Sequence, residues 1–266
     1  MAVAPSPPVL GVLAHDLRWT IVSLLVAGDL RTGELVARTG QAPSLVSYHL
    51  ARLRDAGLVS VRRSTADGRD SYHTLDLDAI GGAVAGMASQ IHPALLAEAG
   101  ALPTEAGALP TEAGALPTEA GARQAGPAGP PARVLFICSG NSARSPMAEG
   151  WLNHLGGDRV TARSAGISPG SVHPLAVAAM AEQGVDISGH RPTHFSEFAD
   201  DSFTRVITLC DRARENCGEL PREAVTVHWS IPNPAQAHPP DLDAFRVTSR
   251  ELQTRIRYLL PVLTGT

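Results

Sequence analysis

Three cysteines, Cys138, Cys210 and Cys217, all lie in the second half of this 266-residue chain. A small, odd set of thiols does not read as a disulfide framework; it suits nucleophilic catalysis, thiol–disulfide exchange or metal ligation. Cys138 opens the stretch "CSGNSARS", in which Ser139, Gly140, Asn141, Ser142 and Ala143 lead to Arg144 and Ser145. In a loop between a strand and a helix, backbone N–H groups and the positive helix end converge on one point and cradle an anion. At this spacing the Arg144 guanidinium can fold back over the cradle, giving two planar donors to a tetrahedral oxyanion while the sulfur sits beneath its central atom. The same field favours the thiolate, so Cys138 is the expected nucleophile. A buried cysteine before an ordinary turn is the plainer alternative, and the company of Gly140, Asn141, Arg144 and Ser145 weighs against it.

These residues need elements to hold them. Val134 to Ile137 is a short apolar run, the pattern of a central parallel strand buried on both faces. Pro146 stands in the first turn of the amphipathic helix expected over "PMAEGWLNHLG". Val206 to Leu209 reads as a second buried strand with Cys210 at its C-terminal end, and Cys217 follows seven residues later in a polar segment. Strand ends of a parallel sheet gather at one edge, so Cys210 can meet Cys138 there.

All 22 basic residues are arginine, which excludes a Walker-type phosphate loop, and the formal net charge is -4. Globally this argues against coating nucleic acid, but residues 31–72 hold seven arginines against four carboxylates. No apolar run reaches the roughly 18 residues of a membrane span and the start lacks a secretory n-region, so a cytoplasmic protein with no membrane partner is expected.

The segment "ALPTEAG" repeats three times over residues 101–121, with a proline in each copy that rules out a coiled coil. Residues 96–132 are therefore expected to be a linker about 30 Å in average span, which by itself fixes no relative orientation. It separates a domain over 10–95, preceded by a disordered 1–9, from one over 133–266.

The first domain is mainly helical by pattern. "LAHDLRWTIVSLLVAG" places Leu17, Ile21, Leu24 and Leu25 at helical spacing, with Gly28 as a C-cap signal. "TGELVARTG" predicts a short helix stopped by Gly40. "SLVSYHLARLRDAGL" predicts a third, with Leu45, Tyr48/His49 and Leu53 among its polar residues. "LVSVRRSTADGRDSYHTLDL" predicts a hairpin around an Asp67-Gly68 turn. This order is that of a helix-turn-helix followed by a wing. Over 10–92 it resembles the ArsR-type winged-helix repressors, chiefly through "SLVSYHLARLRDAGLVSVRR". The resemblance implies that Ser44, Ser47, Tyr48, His49 and Arg52 face the major groove of double-stranded DNA, that Arg62, Arg63 and Arg69 touch phosphates, and that the chain dimerises through this domain. The family's arsenic-sensing stretch corresponds to Gly28 to Leu35, which holds no cysteine, and the histidines of this region lack ligand spacing. No metal site is expected.

From about Arg133 onward the chain resembles the low-molecular-weight tyrosine phosphatase fold, α/β with a central parallel sheet, and within it the thioredoxin-coupled arsenate reductases. "CSGNSARSPMAEGW", "ARSAGI", "GVDISGH" and the Cys210/Cys217 pair carry the likeness. The resemblance implies that residues 139–144 bind arsenate or a phosphate-like oxyanion and that Cys138 attacks arsenic, with Ser145 hydrogen-bonded to its thiolate. Cys210 then closes a disulfide on Cys138, and Cys217 carries it outward as Cys210–Cys217 to thioredoxin or another thiol system, with no tightly bound cofactor. The family's general acid is an Asp before Pro; here Asn233 precedes Pro234, and an amide transfers no proton. Loss of that acid implies a rate lower by roughly 10²–10⁴ unless a residue such as His228 or Asp241 substitutes. Two other readings stand beside the reductase: a catalytically weak oxyanion and redox sensor that regulates transcription, and a tyrosine phosphatase, which has no use for the Cys210/Cys217 pair.

Overall fold

The computed structural model describes residues 7–66, 68–92, 131–217, 224–237 and 241–265. Two separate hydrophobic cores form, one around Ile21, Leu35, Leu50 and Leu53, the other around Phe136, Met147, Leu152 and Ile207. Most of the linker assigned to 96–132 lies outside the described residues, although its last residue, Ala132, already belongs to a strand.

The first unit runs α1 (Pro8–Leu13), α2 (Asp16–Ala27), β1 (Leu30–Arg31), α3 (Thr32–Thr39), α4 (Pro43–Asp55), β2 (Val59–Arg63), β3 (Ser71–Leu75) and α5 (Leu77–Ile91). Helix α1 starts within the stretch expected to be disordered. The single long helix expected from Leu13 is broken at Ala14, and the His15 ring accepts the Leu17 N–H to start α2. Gly40, at φ +64°, ends α3 as its left-handed position requires. Pro43 opens α4, whose buried stripe is Val46, His49, Leu50 and Leu53. Of the residues expected among its polar ones, His49 and Leu53 are buried, whereas Leu45 and Tyr48 are exposed. Strands β2 and β3 pair antiparallel from Val59↔Leu75 to Arg63↔Ser71, a connection longer than a two-residue Asp-Gly turn, and β1 adds a third strand beside β3.

The second unit is a four-stranded parallel sheet in the order β5 (Val160–Gly166), β4 (Ala132–Cys138), β6 (Arg205–Thr208), β7 (Val225–His228). Helices α6 (Arg144–Gly156), α7 (Pro174–Ala181), α8 (Asp211–Asn216) and α9 (Leu242–Thr264) complete it, with α9 packed along α6 and α7.

The two units dock. The Asp29 N–H donates to the His228 carbonyl at 2.7 Å, and the Asp29 carboxylate takes both Arg255 nitrogens at 3.1 and 3.2 Å and the Ser230 N–H at 2.6 Å. The carboxylates of Asp29 and Glu251 keep the buried Arg255 guanidinium charged against the desolvation that burial imposes. Gly28 sits at this seam with an extended backbone, φ 166°, so the expected helix-ending role is not its reason for being glycine. A Cβ there would lie 2.6 Å from Val227 Cγ1 and 2.8 Å from the His228 carbonyl oxygen. Only a residue without a side chain lets α2 end against β7. Gly28→Ala is accordingly expected to weaken docking by about 1–3 kcal/mol while leaving each core intact, so that calorimetry resolves two unfolding transitions. A single unchanged transition would count against this account of the seam.

Candidate active site

Strand β4 is paired on both sides, and Val134, Leu135, Phe136 and Ile137 are at most 1 % exposed. Its end is therefore a fixed point, and Cys138 is delivered there, buried, opposite Gly166. The loop that follows folds back onto β5. A Cβ on Gly166 would come within 2.8 Å of the Asn141 nitrogen, so the close approach needs glycine there.

Asn141 organises the loop. It is fully buried and takes a left-handed backbone, φ 45°, which asparagine tolerates better than most residues. Its Nδ2 donates to Ser145 Oγ at 3.0 Å and Ser164 Oγ at 2.8 Å, while Oδ1 accepts the Thr193 N–H at 2.8 Å and lies 3.2 Å from His190 Nε2. Ser145 Oγ is thereby held 3.0 Å from Cys138 Sγ, where its hydroxyl can donate to the sulfur. Ser164, His190 and Thr193 were not among the expected site residues. They stand 23, 49 and 52 positions from Asn141; Ser164 and His190 lie in the segments "ARSAGI" and "GVDISGH" that carry the family likeness, but no spacing there pairs them with Asn141.

The loop carbonyls are turned away from the sulfur: those of Cys138, Ser139, Gly140 and Ser142 accept from Ile167, Ser168, Gly170 and His173. Among the described residues no backbone carbonyl accepts from the N–H groups of Gly140, Asn141, Ser142, Ala143 or Arg144. Three of these residues, Asn141, Ala143 and Arg144, are buried, and a set of unpaired N–H groups at such a place calls for an acceptor. Arg144 begins α6, is only 6 % exposed, and anchors Nη1 on the carbonyls of Ile231 at 3.0 Å and Leu209 at 3.4 Å. Among the described residues no carboxylate pairs with it. A buried cation without a counter-ion beside unpaired amides is a site for an oxyanion.

Cys210 follows β6 and caps α8, its sulfur accepting the Ala213 N–H at 3.3 Å and lying 3.2 Å from Ser139 Oγ. The sheet edge thus brings Cys210 to the loop that Cys138 opens. Cys217 closes the far end of α8, half-buried, its N–H on the Ala213 carbonyl at 2.9 Å. Burial, reinforced by the like charges that Cys210 and Cys138 can carry, pushes the Cys217 thiol up to about 11. All three cysteines are free thiols.

Asn233 caps the 3₁₀ turn Pro234–Gln236, its Oδ1 accepting the Ala235 N–H at 3.3 Å. Neither suggested substitute is offered to the loop. Asp241 caps α9 through the Ala244 N–H, and His228 is buried with Nδ1 2.8 Å from Thr208 Oγ1 and Nε2 3.1 Å from Asp211 Oδ1. Burial holds this imidazole below its ordinary range, hence neutral, and the carboxylate partner places its proton on Nε2.

In the first unit, Ser44, Ser47, Tyr48, Arg52, Arg63 and Arg69 are exposed. Two expected DNA contacts are not available. His49 is 3 % exposed, 3.4 Å from Arg18 Nη1 and against the His15 ring, because its position falls on the buried stripe of α4. Arg62 turns to the second unit, where Nη2 donates to Asp211 at 3.1 and 3.2 Å and Nε to the Ser230 carbonyl at 3.1 Å. The sequence offered no sign of this, since Asp211 lies 149 positions away.

Residues 133–264 match the model of the low molecular weight phosphotyrosine protein phosphatase family, and residues 15–61 that of the bacterial regulatory proteins of the arsR family. The chain is 42 % identical over 106 residues to an arsenate reductase of Staphylococcus aureus strain RF122, covering 38 % of this chain and 78 % of that protein. Arsenate reductase 2 of Staphylococcus haemolyticus is 41 % identical over 102 residues, with the same coverage. A crystal structure of arsenate reductase from Archaeoglobus fulgidus aligns at 30 % identity over 48 % of this chain and 98 % of its own, with a TM-score of 0.41.

The environment of Cys217 predicts its reactivity. In the reduced protein, iodoacetamide labelling of Cys217 followed by mass spectrometry should keep rising with pH toward about 11, because the thiolate is the reacting form. In a Cys138→Ser, Cys210→Ser double variant the like charges are gone and the curve should move to lower pH. An unmoved curve would leave burial as the whole cause.

Proposed function

We propose, from the premise that the chain belongs to the arsenate reductases of the low-molecular-weight phosphotyrosine protein phosphatase family with an ArsR-family DNA-binding module fused ahead of it, that it reduces arsenate to arsenite and regulates transcription in arsenic resistance. The observation that carries the reductase reading is the pairing of Cys138, 3.0 Å from Ser145 Oγ, with unpaired loop amides and an Arg144 that has no carboxylate partner among the described residues.

Arsenate binds with its oxygens on the amides of residues 140–144 and on the remaining donors of Arg144. The Ser145 hydroxyl steadies the Cys138 thiolate, which attacks arsenic and displaces one oxygen as water. Cys210 then attacks Cys138. The sulfur–arsenic bond breaks, its electron pair stays on arsenic, and arsenite leaves from a Cys138–Cys210 disulfide. Over both steps arsenate gains two electrons and loses one oxygen, and two thiols lose two electrons and two protons. The Cys217 thiolate next attacks Cys210 and frees Cys138, and an external thiol system, thioredoxin in this proposal, reduces Cys210–Cys217.

The raised range of Cys217 bears on its place as the last thiol to act. While Cys138 and Cys210 are both reduced, Cys217 stays protonated and idle. Joining them in a disulfide removes the like-charge contribution, while burial, the larger cause, remains and keeps the Cys217 thiolate scarce. Asn233 supplies no proton to the departing oxygen, so the first step depends on solvent and is slow. That residue favours the second reading, a weak enzyme whose cysteines serve chiefly as a sensor for the attached module. DNA contacts fall to Ser44, Ser47, Tyr48 and Arg52 on α4 and to Arg63 and Arg69 on the wing.

Arsenite formation with thioredoxin, thioredoxin reductase and NADPH is the direct measurement. The protein should turn over slowly, Cys138→Ser and Cys217→Ser should abolish multiple turnover, and Asn233→Asp should raise the rate by up to roughly 10²-fold. Full activity in Cys138→Ser would overturn the reading, and an inert protein revived by Asn233→Asp would make sensing the leading function.

A further inference from the structure

Helix α8 lies between Cys210 and Cys217, and it also holds the wing. Asp211, its first residue, is fully buried and accepts from both units: from Arg62 at 3.1 and 3.2 Å, from the Thr65 N–H at 2.7 Å and hydroxyl at 3.0 Å, from His228 Nε2 at 3.1 Å and from the Ser230 hydroxyl at 2.5 Å. Burial alone would raise its carboxyl, but these hydrogen bonds and the Arg62 charge hold it well below the usual carboxylate range. One turn on, Arg214 donates to the Asp29 carbonyl at 3.2 Å, pairs with Glu34 of α3 and lies over the Tyr72 ring at 5.3 Å.

We propose that closing the Cys210–Cys217 disulfide dismantles α8 and thereby releases the wing, so that the oxidised protein binds DNA more tightly than the reduced one. The inference rests on the cysteine relay proposed above. The six helical residues between them hold the two Cα atoms, seven positions apart, at about 10 Å, whereas a disulfide needs roughly 4.4–6.8 Å. The helix and the disulfide therefore exclude each other. Its six residues form too short a helix to resist strongly, their ends tied by Arg214 N–H to the Cys210 carbonyl and Cys217 N–H to the Ala213 carbonyl. When these bonds go, Asp211 and Arg214 leave their places, and Arg62, Thr65 and Glu34 lose their partners. The Asp29–Arg255 pair involves no residue of α8 and stays as the pivot. No new oxidant is required: the Cys217 thiolate attacks Cys210 of the Cys138–Cys210 disulfide, one S–S bond replaces another, and Cys138 departs as the thiolate.

The test uses full-length Cys138→Ser, whose two remaining cysteines are oxidised by diamide, which takes up two electrons and two protons. Arsenate turnover is thus not needed. Hydrogen exchange should show protection lost over 59–75 on oxidation and kept at Gly28 and Asp29. Binding to a fluorescent mixed-sequence DNA duplex should tighten on the order of fivefold at low salt, with a salt slope steeper by about one phosphate contact. Asp211→Asn should give the same gain without oxidation, and Arg62→Ala should remove it. If mass spectrometry finds the disulfide but exchange and DNA affinity do not change, the coupling is wrong and the relay stands. If diamide cannot join Cys210 to Cys217, the relay and the coupling fall together.

Discussion

The ends of a parallel sheet are all on one side, and everything chemical in this protein is arranged along that side. Strand β4 is clamped between two neighbours and buried on both faces, so the position of Cys138 is set by the core itself. The end of β5 supplies the glycine onto which the loop folds, the end of β6 leads to Cys210, and the end of β7 leads through His228 to Ser230. The nucleophile, its partner thiol and the groups that receive the DNA-binding module thus share one rigid edge.

The seam between the units is polar where it is buried. Asp29–Arg255 loses water on both sides and Arg62–Asp211 on the carboxylate side, and their attraction in a low-dielectric setting does little more than offset that cost. Their value lies in orientation. A carboxylate with donors converging on it from two units accepts one arrangement and penalises others, because each displaced partner leaves a buried charge unsatisfied. Arginine suits both pairs: the planar fork of Arg255 meets both Asp29 oxygens at once, and Arg62 bridges the Asp211 oxygens with Nη2 while its Nε reaches the Ser230 carbonyl.

Much of this was legible in the sequence, and the rest was not for physical reasons. The apolar run before Cys138, the loop composition and the cysteine spacing are local signals, and they indicated a strand, an anion cradle and a thiol pair. The winged-helix order was equally plain, because Gly40, Pro43 and two alternating runs mark where elements start and stop. In α4 the apolar type of Leu45 and Tyr48 suggests core, yet the helix leaves both outside and turns Val46 and Leu50 inward beside His49 and Leu53. Gly28 signals a helix end as readily as a close approach, and only the neighbouring strand distinguishes the two. The resemblance implies a phosphate contact for Arg62, and a sequence does not reveal a carboxylate folded against it from the other unit. The partners of Asn141 were illegible for the same reason.

Both partners of the seam belong to one chain, joined by residues 92–131, so the encounter of wing and α8 is intramolecular. A tether of this kind holds two surfaces at an effective concentration on the order of millimolar. Contacts too weak to assemble two separate proteins therefore suffice to keep these units together, and a modest local change suffices to part them. The balance between docked and undocked forms is set inside each molecule. The docking step itself does not depend on how much of the protein the cell makes, so a change of state within one molecule, such as that of its thiols, is able to move it.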